Sequence, residues 1–169
     1  QDIVRGLRCG FGEHINLNDL RYHKVIIMTD ADIDGRHIAT LLINFFYTFY
    51  RPLIEAGHLY ISVPPLFRIY TPKENFFSYN EADYKEITDK LTAEGRSFNV
   101  QRYKGLGEMN SKILWDTTLN PETRTIIQVK LDSTDDIDGF MKDVFSEDTQ
   151  YRNQLIEDDV NDKELGKYV

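Results

Sequence analysis

The 169-residue chain has room for one domain or two small ones, and its 41% hydrophobic and 12% aromatic content excludes a wholly disordered polymer. Its one cysteine, Cys9, excludes an internal disulfide framework, reads as a packing residue and suits a reducing cytoplasm. The net charge of −8 speaks against a nucleic-acid partner until its distribution is seen: residues 1–131 carry 16 basic and 16 acidic side chains, residues 132–169 carry 4 and 12, so the neutral body is free to present a local basic face to phosphates.

In chain order, residues 24–29 (KVIIMT) are a β-branched apolar run that predicts a buried strand. The loop TDADIDGRH follows, with Gly35 allowing a sharp turn. Residues 37–50 are apolar on nearly all sides, too broken by Thr40, Asn44 and Thr48 for a membrane span, and predict a buried helix that Pro52 can only bend or end. Residues 58–63 (HLYISV) predict a second strand, so that strand, helix and strand form a right-handed parallel βαβ unit. Beyond Pro64-Pro65, FRIYTPKENFFSY predicts a hairpin, and residues 80–94 a surface helix capped by Asn80 and ended before Gly95. FNVQRYK predicts a further strand and Asn110 the start of a short helix. Asn120-Pro121 opens another element, and two helices follow near 134–146 and 150–159. Trp115 reads as a core or subunit-interface anchor, and Tyr103 as a packing residue.

Asp30, Asp32 and Asp34 alternate directly after the first strand, where open α/β sheets bind ligands. Three carboxylates there repel one another unless a cation neutralises them, and oxygen ligands with retained waters are what Mg²⁺ prefers. A solvated acidic turn is the bland alternative. A calcium-binding EF-hand fails because Leu41 falls where a bidentate Glu is required and because a strand precedes the loop. A phosphatase of the haloacid dehalogenase type fits Asp32-Ile33-Asp34-Gly35, but its acidic pair closing another strand is not found: Asp135-Asp136 and Asp158-Asp159 fall in predicted helix starts or tails.

Two long stretches carry a resemblance. LRYHKVIIMTDADIDGRHIATLLINFFY with RPLIEAGHLYISVPPLFRI, and later QRYKGLGEMNSKILWDTTLNPETRTIIQV, resemble the B subunits of bacterial type IIA DNA topoisomerases, the gyrase branch more than topoisomerase IV. The resemblance implies an α/β fold, a TOPRIM (Rossmann-like) parallel sheet with flanking helices, followed by a smaller α+β region. The expected division is 1–66 for the later part of the TOPRIM domain, 67–158 for the gyrase B C-terminal tail region and 159–169 for an acidic, flexible tail. It further implies that Asp30 and Asp32 hold a catalytic Mg²⁺, with Asp34 in the same metal cluster, for a tyrosine on the partner A subunit that cleaves and religates double-stranded DNA in an A₂B₂ complex. ATP would act only through an N-terminal domain not found in this sequence. The family's catalytic Glu belongs to an upstream Glu-Gly-Asp-Ser type motif that this sequence lacks, and Glu13 and Glu55 sit in the wrong contexts to replace it. The implied location is the cytoplasm, at the nucleoid, with no membrane partner. A non-catalytic module that docks DNA or the A subunit is the alternative from another class.

Residues 96–112 carry Arg96, Arg102, Lys104 and Lys112 against Glu108 alone. Lys104 precedes Gly105-Leu106-Gly107, a tight turn at which backbone can approach a phosphate, and the resemblance implies a DNA-backbone contact for Lys104 and more weakly for Arg102. His37 is open to a DNA contact, a bond to a ligating carboxylate or local hydrogen bonding. Arg36 stands where relatives carry a small residue, free either to pair with Asp34 or to reach a phosphate. Relatives often end near a Pro-Arg-Arg stretch, of which only Arg152 remains here.

Overall fold

The computed structural model describes residues 1–131 and 137–145. The chain forms two compact units, Gln1–Lys130 and Leu131–Val169. In the second, the described element is helix α5 (Ile137–Val144), within the first of the two expected C-terminal helices. The expected helix at 150–159, Arg152 and the acidic tail lie outside the described residues.

The first unit opens with α1 (Asp2–Leu7) and two short 3₁₀ turns, Gly12–His14 and Leu17–Asp19. Strand β1 (Val25–Ile27) pairs in parallel with β2 (Leu59–Ser62), Val25 opposite Leu59, and helix α2 (Ile33–Glu55) makes the crossover. The expected βαβ order is therefore present. The sheet is mixed rather than purely parallel, because β6 (Ile126–Gln128) lies antiparallel on the other side of β2. An antiparallel partner needs no crossover helix, and three residues beside charged neighbours carry too short a pattern to announce a strand.

Helix α2 is longer at both ends than the apolar run 37–50. At its start Asp32 is the N-cap, its carboxylate accepting from Gly35 N at 2.7 Å, which draws Ile33 to Arg36 into the helix. Near its end the backbone leaves helical geometry at Tyr50 (φ −137°, ψ 31°) and resumes with Pro52 in the next turn, where the missing N–H costs little. One face of α2 is buried, through Ala39, Phe46, Tyr47, Tyr50, Leu53 and Ile54. The expectation of burial on nearly all sides is not met, since Ile38 and Leu41 are about half exposed. The kink is held by Tyr50, whose hydroxyl donates to Gly10 O at 3.1 Å, and by Phe11 stacked on Phe49 at 4.9 Å.

A second sheet has the order β4-β3-β5, all antiparallel: β3 (Phe67–Tyr70), β4 (Asn75–Ser78) and β5 (Asn99–Arg102). The expected hairpin is β3–β4, its turn closed by Thr71, whose hydroxyl accepts from the Lys73 and Glu74 amides. Helix α3 (Glu81–Ala93) is capped by Asn80 as predicted and packs Leu91, Ile87 and Tyr84 against Phe67 and Ile69. After β5 the chain is pinned by the Tyr103 amide, which donates to Leu66 O at 2.8 Å. Tyr103, Met109 and Ile113 then form a buried cluster with Leu106 and Phe77 packed on it. Short helix α4 (Ser111–Leu114), capped by Asn110, widens into a π turn over Trp115–Leu119. That wide turn directs Thr117 and Thr118 inward, and leaves Trp115 53% exposed rather than in the core.

Candidate metal and DNA-backbone site

β1 delivers the chain at its carboxyl end into Asp30, and α2 begins two residues after Ala31. Met28, Thr29, Asp30, Asp32, Asp34, Gly35, Ile38 and Leu106 line one cleft of about 430 Å³. The three aspartates are not equivalent. Asp32 spends one carboxylate oxygen on the helix cap. Asp30 spends one on the amide of Leu106, at 2.7 Å, a residue 76 positions away. Asp34 sits in the first turn of α2.

The loop closes tightly because Gly35 has no side chain. A Cβ there would collide with the Asp30 backbone, so the turn from strand to helix requires glycine for space.

The basic stretch arrives beside this loop. Ala31, Asp32, Leu66, Arg102, Tyr103 and Lys104 line an adjoining cleft of about 360 Å³, so Asp32 borders both. Arg102 is exposed and lies over the Phe67 ring at 5.5 Å. Lys104 is exposed, and its backbone amide donates to the Glu108 carboxylate at 2.9 Å, which closes the loop on itself. Tyr103 is a buried packing residue, as expected. Its phenol pKa is raised chiefly by burial, which Arg68 partly opposes.

His37 is exposed on α2 and lines neither cleft. Arg36 lines neither cleft as well. Glu55 pairs with Arg51 at 2.9 Å at the far end of α2, and neither it nor Glu13 lines the acidic cleft.

The donor set suits a hard cation in kind. Its acidic side chains offer carboxylate oxygens in an open cleft with room for retained water, as Mg²⁺ favours. It is short in number, because among the described residues no three His, Cys, Asp or Glu side chains are gathered to hold an ion by themselves. A Mg²⁺ on Asp30 and Asp32 would therefore complete its shell with water, substrate oxygens or a ligand from elsewhere.

The pattern Gly105-Leu106-Gly107 predicts a close backbone approach to a phosphate. The close approach in the fold is to the Asp30 carboxylate. That contact partner lies 76 residues back along the chain and is not announced by the local sequence.

Comparison with known proteins gives two family matches: the Toprim domain over residues 8–64, and the DNA gyrase B subunit, carboxyl terminus, over residues 95–157. The gyrase B protein of Thermotoga maritima is 46% identical over 156 residues, covering 92% of this chain and 24% of that protein. Those of Staphylococcus epidermidis and Staphylococcus aureus are 41% and 42% identical over 158 residues, covering 94% of this chain and 24% of each. The chain thus spans about a quarter of the length of the curated relatives it matches.

Proposed function

The chain belongs, over its Toprim and carboxyl-terminal segments, to the DNA gyrase B family, and on that premise we propose that it supplies the metal-binding part of a type IIA topoisomerase cleavage centre. Asp30 and Asp32 would hold Mg²⁺, with Asp34 lining the same cleft. The ion, when bound, stabilises charge on the attacking and leaving oxygens of phosphoryl transfer. The nucleophile is a tyrosine of a partner A subunit, and the substrate is double-stranded DNA within an A₂B₂ assembly in the cytoplasm. ATP is used by another part of the longer protein, and a glutamate upstream of this stretch completes the ligand set. Residues 1–66 serve the TOPRIM role, 67–158 form the tail region and 159–169 an acidic extension.

One observation carries the reading: the Leu106 amide on the Asp30 carboxylate brings the two signature stretches of the family onto one cleft. Acid and base then have separate tasks. The aspartates take the cation, while Lys104 and Arg102 neutralise backbone phosphates alongside and carry no sequence information. The phosphatase alternative is not favoured, because the Toprim and gyrase B carboxyl-terminal matches occur in order on one chain and gyrase B relatives align across both.

The test is Mg²⁺-dependent plasmid cleavage by the full-length protein assembled with its A partner. Asp30→Asn and Asp32→Asn should lose cleavage while still assembling. Undiminished cleavage by both would remove the proposal and leave a docking module.

A further inference from the structure

We propose that the Gly105–Leu106 turn is a positioning device for Asp30, fixing the carboxylate in the orientation that receives the metal. The inference rests on the reading of Asp30 as a Mg²⁺ ligand and adds residues that the acidic motif does not contain.

Three features converge. The Leu106 amide donates to Asp30 Oδ1 at 2.7 Å, which restrains the carboxylate and leaves lone pairs on both oxygens for a cation. Gly105 lies against the same carboxylate: a Cβ there would sit 3.0 Å from Cγ and Oδ2 and 3.1 Å from Oδ1. Gly105 has an extended backbone (φ −155°, ψ 164°), which any residue can adopt, so what a side chain at 105 would disturb is the Asp30 carboxylate, which would have to give by a few tenths of an ångström. The turn itself is anchored by Leu106 packed on Tyr103, Met109 and Ile113, and by the Glu108 amide bonded to Gly105 O at 3.2 Å. A rigid donor on a packed base, aimed at a ligating carboxylate, is how outer-shell groups orient metal ligands. Losing one typically weakens metal affinity by about 10–100-fold.

The same turn holds its own control. Gly107 has nothing within 4 Å of an added Cβ, so Gly107→Ala changes the loop's composition without touching Asp30. Leu106 is the first residue of its 3₁₀ turn, a position where proline is accepted, so Leu106→Pro deletes the donor; it also removes the leucine that packs on Tyr103, Met109 and Ile113, a loss that the thermal melt reads separately.

Mn²⁺ binding to the full-length protein, read by electron paramagnetic resonance beside a thermal melt, tests the inference. Gly105→Ala and Leu106→Pro should each bind Mn²⁺ about 10–100-fold more weakly, with Gly107→Ala matching wild type. In the assembled enzyme, Gly105→Ala should shift the Mg²⁺ midpoint for cleavage upward, with the rate recovering at saturating Mg²⁺. If Asp30→Asn weakens binding while Gly105→Ala and Leu106→Pro do not, the positioning role is wrong and the metal reading stands. If Asp30→Asn binds as wild type, Asp30 is not a ligand and both fall.

Discussion

Asp32 carries two roles that a single alanine substitution would confuse. Its carboxylate caps α2 through Gly35 N and also borders both clefts. Asn caps a helix about as well as Asp, whereas Ala costs about 0.5–2 kcal/mol. Asp32→Asn should therefore melt close to wild type and lose metal-dependent cleavage, and Asp32→Ala should lose both stability and cleavage; parallel melts and cleavage assays check this. Tyr103 offers a second test at this scale. Its hydroxyl is buried, and that burial raises its pKa above the ordinary 10.0 against the opposing pull of Arg68. The folded state thus holds the phenolic proton more tightly than the unfolded chain. The linked stability is complete below pH 10 and is lost as pH rises through the folded value. Tyr103→Phe should flatten that alkaline loss, since it removes the titrating group. Melts across the alkaline range read the effect, and an unchanged alkaline loss would contradict it.

At the scale of elements, Asn80 decides the start of α3 through its bond to the Asp83 amide at 2.8 Å. Asn80→Ala should cost about 1 kcal/mol, seen as a lowered melting temperature with no change in cleavage. This helix was legible in the sequence because a cap, a polar face and Gly95 (φ +67°) bound it. The strand–loop–helix carrying Asp30, Asp32 and Asp34 was legible for the same kind of reason: a β-branched run, a glycine turn and an apolar helix. What could not be read locally was the return of β6 against β2, the outward turn of Trp115 in a π-helical segment, and the docking of Leu106 on Asp30. Each depends on tertiary packing between distant stretches, and no local period or propensity encodes it.

At the scale of the whole molecule, charge is divided between the two ends of the chain. The neutral first 131 residues carry Arg102 and Lys104 beside the acidic loop, while the excess acid lies beyond them. A phosphate contact by Lys104 predicts that Lys104→Ala weakens DNA binding by the assembled complex evenly across sequences. The dependence of log affinity on log salt should also fall by about 1. An unchanged slope would make Lys104 a solvated surface charge.

If Asp30 and Asp32 share a divalent cation in the assembled enzyme, that ion can be located directly. Crystals of the full-length protein with its A partner and DNA, grown with Mn²⁺ in place of Mg²⁺, test it by anomalous scattering. A peak is expected within ligating distance of both carboxylates, in the cleft that Leu106 borders. A peak bound only by other residues, or no peak at Mn²⁺ concentrations that sustain cleavage, would contradict it.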